Sequence, residues 1–467
     1  MMEPQLERTL SAVGDSLIAT YHIRTIQDTG EMRFYSKNGY HEAGAERVIE
    51  QTVREQINRN ISKHEMSEII YYIQTCTYTD RSEFDNDPDW LHVNNGWLNI
   101  NTREFVDHSP SKLSLSKMPH AYDPKAWPTA NIRFLRDVLM QGDVKQVIKL
   151  LGTIILRKAT YETGMIGVGE GRNGKSTLGM VIERFVGDEL VTHTPPQDLS
   201  DDKFAKADLF GKWLNLVDDV DVDSIIKNTS YIKTLISGKT LKAQKKYGQP
   251  FEFANNAVFV MFANRIPDTR DKSYAWLRRW LVVEFRRVFE GEDNDVHLID
   301  KLTTSQEMSG VLNLALVGVR CLKVEGGFHE TDMEELRRKY VENTSRIKGF
   351  IKEECEVEIG NEEYAIESSV LREAYRKYCV THGTRYFDER KLGEELKALG
   401  VIHRQKTVRG KGRPYHDIGL RLKAEQKDKR LHDYLGKTTN TLGTENDIVG
   451  EIVGSSPKQS SNLEVPS

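Results

Sequence analysis

Apolar positions recur along this chain in two rhythms. From Glu3 to about Tyr78 they follow helical spacing, as in Ala45–Asn60 and Met66–Cys76, with polar breaks between. LHVNNGWLNI, Leu91–Ile100, predicts instead a β-hairpin with its tight turn on Asn95-Gly96. Past the Pro-bearing stretch Tyr122–Pro128, apolar residues at Phe134, Leu135, Val138 and Leu139, then Val147, Ile148, Leu151 and Ile155, predict helix over Asn131–Ala159 with a break near Gly142.

Between about Tyr161 and Phe289, short apolar runs (Met165–Val168, Trp213–Val217, Asn256–Pro267) alternate with helical stretches such as Thr177–Val186. That alternation predicts an α/β core with a mostly parallel sheet. Helical spacing returns over Ser309–Lys323 and in the charged stretch Met333–Tyr340. A separate module follows, Arg346–Lys423. Its two helices, Glu367–His382 and Asp388–Leu399, precede a hairpin of VIHRQKTV and YHDIGLRL around RGKGRP, the outline of a winged helix. Lys437–Ser467 is rich in Ser, Thr, Asn and Gly and is expected to be disordered. The expected organisation is a mainly helical N-terminal accessory region (1–128), a helical collar (129–160), an α/β P-loop ATPase core (161–330), a winged-helix domain (340–425) and a tail (437–467).

Composition adds exclusions. The 467 residues are 38% hydrophobic and 29% charged with net charge −4, so any nucleic-acid footprint has to be local. One such place is Arg404–Arg430, with ten Lys/Arg against three Asp/Glu. The DNA-facing candidates there are Arg409, Lys411 and Arg413; a wing that docks a protein is the other reading. No apolar run approaches a membrane span, and the polar N-terminus does not read as a secretory signal, so a cytoplasmic protein without membrane contact is expected. The four cysteines are scattered, and the histidines, His92, His108 and His120 among them, have no metal-ligand spacing.

The chemistry concentrates in the core. Gly169-Glu170-Gly171-Arg172-Asn173-Gly174-Lys175-Ser176 fits the G-x-x-x-x-G-K-[ST] phosphate loop, between a strand and a helix. Glycines let backbone amides converge on an anion at a helix N-terminus. Lys175 is expected at the β- and γ-phosphates and Ser176 at Mg²⁺, with Gly169, Gly171, Arg172, Asn173, Gly174 and Thr177 completing an ATP site. The apolar run to Val217 ends in Asp218-Asp219, a pair able to hold the Mg²⁺ shell and orient the attacking water, in either assignment. Asn264 ends a third apolar strand, where it could bind the γ-phosphate or the water. Arg278-Arg279, between Trp276 and Trp280, read as an arginine finger acting on a neighbour or as a buried structural salt bridge. In SGKTLKAQKKYGQPFEF, Ser237–Phe253, two strands around Tyr247-Gly248 place Lys242, Lys245 and Lys246 on or near a hairpin tip, suited to phosphates of a threaded strand, with Tyr247 available to stack.

GEGRNGKST, WLNLVDD, SGKTLKAQKKYGQPFEF, FVMFANRIP and LRRWLVVEF, in this order, resemble the superfamily 3 helicases, and more closely the phage, plasmid and poxvirus-type primase-helicases. HVNNGWLNINTREFVDHSP and HAYDPKAWP resemble that family's N-terminal accessory domain. The resemblance implies an AAA+-like core that assembles as a hexameric ring and translocates on single-stranded or forked DNA, usually 3′ to 5′. It also implies ATP and Mg²⁺ as cofactors, Asn264 as sensor and Arg278 or Arg279 as the finger in trans; whether a primase partner exists stays open, and one that does would sit on a separate or upstream polypeptide. Two alternatives stay open: a primase-helicase subunit, for which Asp85-Asn86-Asp87 reads as a loop rather than a polymerising centre, and an AAA+ origin-binding initiator or loader that does not unwind processively.

Overall fold

The structure is a computed structural model, and it describes residues 3–423 except 170, 221–225, 268, 270, 272, 288, 290–294, 296, 329–345, 382–385 and 406–413. The stretch Met333–Tyr340, the tail 437–467 and the wing residues Arg409, Lys411 and Arg413 therefore lie outside the described residues. The chain forms two compact units, one of residues 1–264 with 269–330 and one centred on 346–423.

The first unit is built around a five-stranded sheet. Its strands run in the order Trp280–Glu284, Gly164–Val168, Val258–Ala263, Leu214–Val217, Val191–Thr192, and every neighbouring pair is parallel. Numbered along the chain, that order is 5-1-4-3-2. Gly164–Val168 and Val258–Ala263 are buried throughout, as central strands covered on both faces should be. The glycines of the first strand have a packing reason: a Cβ on Gly167 would stand 2.6 Å from the Phe262 ring of the neighbouring strand.

Helix Lys175–Val186 lies on this sheet through Leu178, Ile182 and Phe185. A helical layer joins the same core. Helix Gln141–Leu156 packs closely along helix Ser305–Glu325, and a Cβ on Gly318 would come within 2.1 Å of the Ile148 carbonyl oxygen. Lys149 is wholly buried between them; its ammonium donates to Glu325 Oε2 at 2.8 Å and the Gly327 carbonyl at 2.8 Å, while Lys145 pairs with Glu325 Oε1 at 2.9 Å. The interruption before Gln141–Leu156 falls at Leu139-Met140, two residues ahead of the expected Gly142, which sits in the helix's first turn.

Two corrections concern the N-terminal region. Helix predominates in it, but sheet is present as well. Besides helices Glu3–Tyr21, Ala45–Thr52 and Lys63–Cys76 it carries a four-stranded sheet, ordered His41–Ala43, Met32–Tyr35, Arg24–Ile26, Tyr78–Thr79. These strands are two to four residues long, too short to display a period, and they are held by distant partners: Thr25 and Thr77 share a buried hydroxyl hydrogen bond of 2.8 Å. The second correction is the hairpin turn. Val93 pairs with Gly96, so the two turn residues are Asn94 and Asn95, one earlier than expected. Asn95 explains the shift, because its side chain is bonded to Tyr122 in both directions, at 2.8 and 3.0 Å. The acidic loop is structural: Asp85, at φ 49, accepts from Ser114 Oγ (2.6 Å), Leu115 N (3.1 Å) and Ser116 Oγ (3.1 Å).

In the second unit, helix Arg346–Glu354 leads to strand Cys355–Val357, antiparallel to Leu420–Leu422. Helices Ser368–Thr381 and Glu389–Ala398 pack with a three-stranded antiparallel sheet of Ala365–Glu367, Tyr415–Ile418 and Ile402–Gln405. Its core is Ile347, Phe350, Leu371, Tyr375, Leu392, Leu396 and Leu420. His403 lies flat on Tyr415, ring centroids 4.8 Å apart, with Nδ1 2.8 Å from Asp417 Oδ1.

Candidate nucleotide site and basic hairpin

The C-terminal edge of the parallel sheet gathers three of the sequence motifs. Strand Gly164–Val168 runs into the loop 169–174, where Arg172 (φ 59) and Gly174 (φ 89) take left-handed backbone, and helix Lys175–Val186 starts at once. A parallel strand, a loop and a helix N-terminus together leave amide groups facing outward from the sheet edge, a setting that favours a bound anion. The Lys175 side chain folds back over the loop. Its ammonium donates to the Gly169 carbonyl and, at 3.1 Å, to Asn173 Oδ1. Asn173 is buried, and its Nδ2 donates to the Phe285 carbonyl at 3.3 Å. Phe285 N in turn donates to Val168 O at 2.8 Å, and Phe289 N to Arg172 O at 2.8 Å. The loop is thus pinned to the chain that follows strand Trp280–Glu284. Gly171, Arg172 and Ser176 are exposed and Thr177 half-buried. A lysine only 9% exposed, whose partners include two neutral oxygens and which sits beside a helix N-terminus, suits a polyphosphate with its metal.

Strand pairing brings the other candidates to this place. Val168 is in register with Ala263, and Met261 with Val217. The Gly169 amide donates to Ala263 O at 3.3 Å and the Val220 amide to Phe262 O at 3.0 Å. Asn264, exposed, therefore follows directly on a residue bonded to the candidate phosphate loop. Asp218 and Asp219, both exposed, stand beside it on the next strand; Asp219 has φ 57.

Arg278 and Arg279 are on the opposite edge. Arg279 precedes strand Trp280–Glu284, and its carbonyl accepts from Gly164 N at 2.8 Å, at the start of the first strand. One strand length, about 13 Å at ~3.3 Å per residue, separates them from the chain's own candidate phosphate loop. The two arginines differ. Arg279 is 9% exposed in its side chain and donates to the Ala275 carbonyl and to Ser237 Oγ (2.7 Å); Arg278 is 39% exposed and pairs with Glu162 Oε2 at 2.5 Å. Burial lowers the Arg279 pKa, and the charge of Arg278 adds to that.

The basic hairpin is formed by Thr240–Gln244 and Pro250–Ala254, antiparallel. Lys245, Lys246 and Tyr247 make the tip, and Tyr247 is 95% exposed at φ 66, with Lys246 Nζ 5.4 Å from its ring centre. Lys242 is on the first strand, exposed, 3.8 Å from Glu252 across the pair. The tip closes through Gly248 N to Lys245 O (2.8 Å) and Gln244 Nε2 to Gly248 O (3.0 Å). The foot is firmly seated: Phe251 and Phe253 pack on Phe210, and the buried Asn255 side chain donates to Leu235 O and Ala257 O, both at 3.0 Å.

Glu162 and Asn255 had no motif to mark them, and Ser237 was visible only as the first residue of the basic-hairpin stretch; the partners of Glu162 and Ser237 come from far along the chain. Asn173 was visible only as a variable position of the phosphate loop.

Residues 15–140 match the family described as D5 N terminal like, and residues 167–279 match a family of unknown function, DUF5906. No curated protein matches the sequence. Among solved structures, an A-form apo structure of the NrS-1 C-terminal region is 14% identical, with 87% of this chain and 99% of that chain covered and a TM-score of 0.47. Another apo structure of that region gives 14%, 87%, 98% and 0.48. Residues 15–140 are thus similar to a D5 N-terminal-like domain, and the α/β core that follows is a parallel sheet with a strand–loop–helix at Gly164–Val186.

Proposed function

We propose that this protein is an ATP-driven replicative DNA helicase of a phage, plasmid or other mobile element, working as a ring, in the resembled family a hexamer, on single-stranded and forked DNA. The observation that carries the reading is the division of labour between the two edges of one parallel sheet. Lys175, Asp218, Asp219 and Asn264 share the C-terminal edge. Arg278 stands on the other, out of reach of its own loop, so an arginine finger here has to serve a neighbouring subunit. The kinship with D5-like domains supports a helicase-type enzyme of DNA replication.

In this reading Lys175 and the loop amides bind the β- and γ-phosphates of ATP. Ser176 and one of Asp218 and Asp219 hold Mg²⁺, which supplies charge neutralisation at the phosphates when bound, and the other aspartate orients the attacking water. Asn264 senses the γ-phosphate. Arg278, the exposed member of the pair, acts in trans, and Arg279 is structural. Lys242, Lys245, Lys246 and Tyr247 grip the threaded strand. The second unit, a winged helix in this reading, adds a DNA contact, and 1–128, 129–160 and 161–330 serve as accessory region, collar and motor. Movement is 3′ to 5′, in the host cytoplasm, with a primase on a separate chain.

The experiment is strand displacement on forked and tailed duplexes beside ATP hydrolysis with and without single-stranded DNA. Displacement that needs ATP and a 3′ tail is expected. Robust hydrolysis without displacement would instead indicate an initiator or loader.

A further inference from the structure

We propose that Glu162 is a positioning residue: it clasps the trans-acting Arg278 and, through Arg279 and Ser237, ties that arginine to the foot of the basic hairpin. This rests on the reading of Arg278 and the hairpin given above.

A single carboxylate oxygen carries the clasp. Glu162 Oε2 accepts from Arg278 Nη2 at 2.5 Å and from Arg279 Nη2 at 3.4 Å. The same Arg279 Nη2 donates to Ser237 Oγ at 2.7 Å, and Arg279 Nη1 to the Ala275 carbonyl. Arg279 is thus the fixed member, buried and held from three sides, and Arg278 the exposed one, able to leave.

Two like charges share one anion here, and the charge of Arg278 opposes that of Arg279. When Arg278 turns to a neighbour's γ-phosphate, that repulsion falls and Oε2 is left to Arg279, whose 3.4 Å separation from it has room to shorten. Because one nitrogen serves both Glu162 and Ser237, a move toward the carboxylate alters the serine bond.

Ser237 caps helix Thr229–Ile236 and leads through Gly238 into strand Thr240–Gln244. The backbone reinforces the link. Glu162 N donates to Ala159 O at 3.1 Å, and Ala159 packs so closely on Gly238 that a Cβ there would lie 2.5 Å from the alanine methyl. The glutamate's loop and the hairpin's foot are therefore packed directly against each other.

The test uses the full chain and compares ATP hydrolysis with and without an oligothymidylate strand for wild type, Glu162→Gln, Glu162→Asp and Ser237→Ala. Both Glu162→Gln and Ser237→Ala should cut the DNA stimulation ratio about fivefold or more, the lower end of typical site-to-site coupling. The loss should appear in the DNA-stimulated kcat and not in the KM for ATP. Glu162→Asp, which keeps the charge, should restore part of the ratio. A wild-type ratio in both Glu162→Gln and Ser237→Ala overturns the clasp, as does an equal loss in the Asp and Gln variants. A wild-type chain whose hydrolysis ignores DNA overturns the functional reading itself, and the clasp with it.

Discussion

The Gly169 amide donates to the Ala263 carbonyl at 3.3 Å, joining the candidate phosphate loop to the strand that delivers Asn264. Residues almost a hundred positions apart thereby meet at one sheet edge. Asp218-Asp219 reach the same edge on the adjacent strand, so the candidate nucleotide site rests on the backbone pairing of three buried strands rather than on mobile loops.

Lys175→Ala should reduce ATP hydrolysis about a hundredfold or more, the range for loss of a charge that stabilises a transition state. Asn173→Ala should weaken nucleotide binding about tenfold, because it removes a buried hydrogen-bonding side chain that contacts both Lys175 and the Phe285 carbonyl. Phosphate release and binding of a fluorescent ATP analogue measure the two effects.

The triple change Lys242→Ala, Lys245→Ala and Lys246→Ala should lower the slope of log affinity against log salt by about 2 per engaged hairpin, at ~0.7 for each single-strand phosphate that no longer has a lysine to neutralise it. Tyr247→Ala should weaken binding by about 1–3 kcal/mol with little change in that slope, since stacking is not a counterion effect. Fluorescence anisotropy of a labelled oligonucleotide across salt concentrations separates them. An unchanged slope in the triple variant would remove the hairpin from the DNA path.

Acid should destabilise the N-terminal region through His41. Its side chain is fully buried between Tyr35 and Phe84, and burial first, then the charge of Arg24, lowers its pKa to about 4. The unfolded chain, with the ordinary value of 6.5, binds the proton more readily, so this contribution is complete above pH 6.5 and is lost as pH falls toward 4. By pH 5 the loss should reach about 2 kcal/mol. Thermal melts at pH 7.5 and 5 should show a smaller drop for His41→Phe than for wild type.

Gly318→Ala should destabilise the helical layer by about 2 kcal/mol or more, because the added methyl meets the Ile148 backbone and the helices have to separate. Gly142→Ala, where nothing stands within 4 Å, is the matched control and should leave the melting temperature at or above the wild-type value.

Much of this protein was legible in one dimension. The strand, loop and helix around Gly164–Val186, the strand ending in Asp218-Asp219, the strand ending at Asn264 and the hairpin around Tyr247 each obey local requirements: an apolar run that fills a buried strand, or a turn that needs particular backbone. The strand order, the N-terminal strands and the turn at Asn94-Asn95 were decided elsewhere, by pairing and side-chain bonds across tens of residues. The difference between Arg278 and Arg279 belongs to that second class. Adjacent and chemically identical, they are told apart only by what surrounds them, since Ser237 and the Ala275 carbonyl hold one in the interior while Glu162 meets the other at the surface.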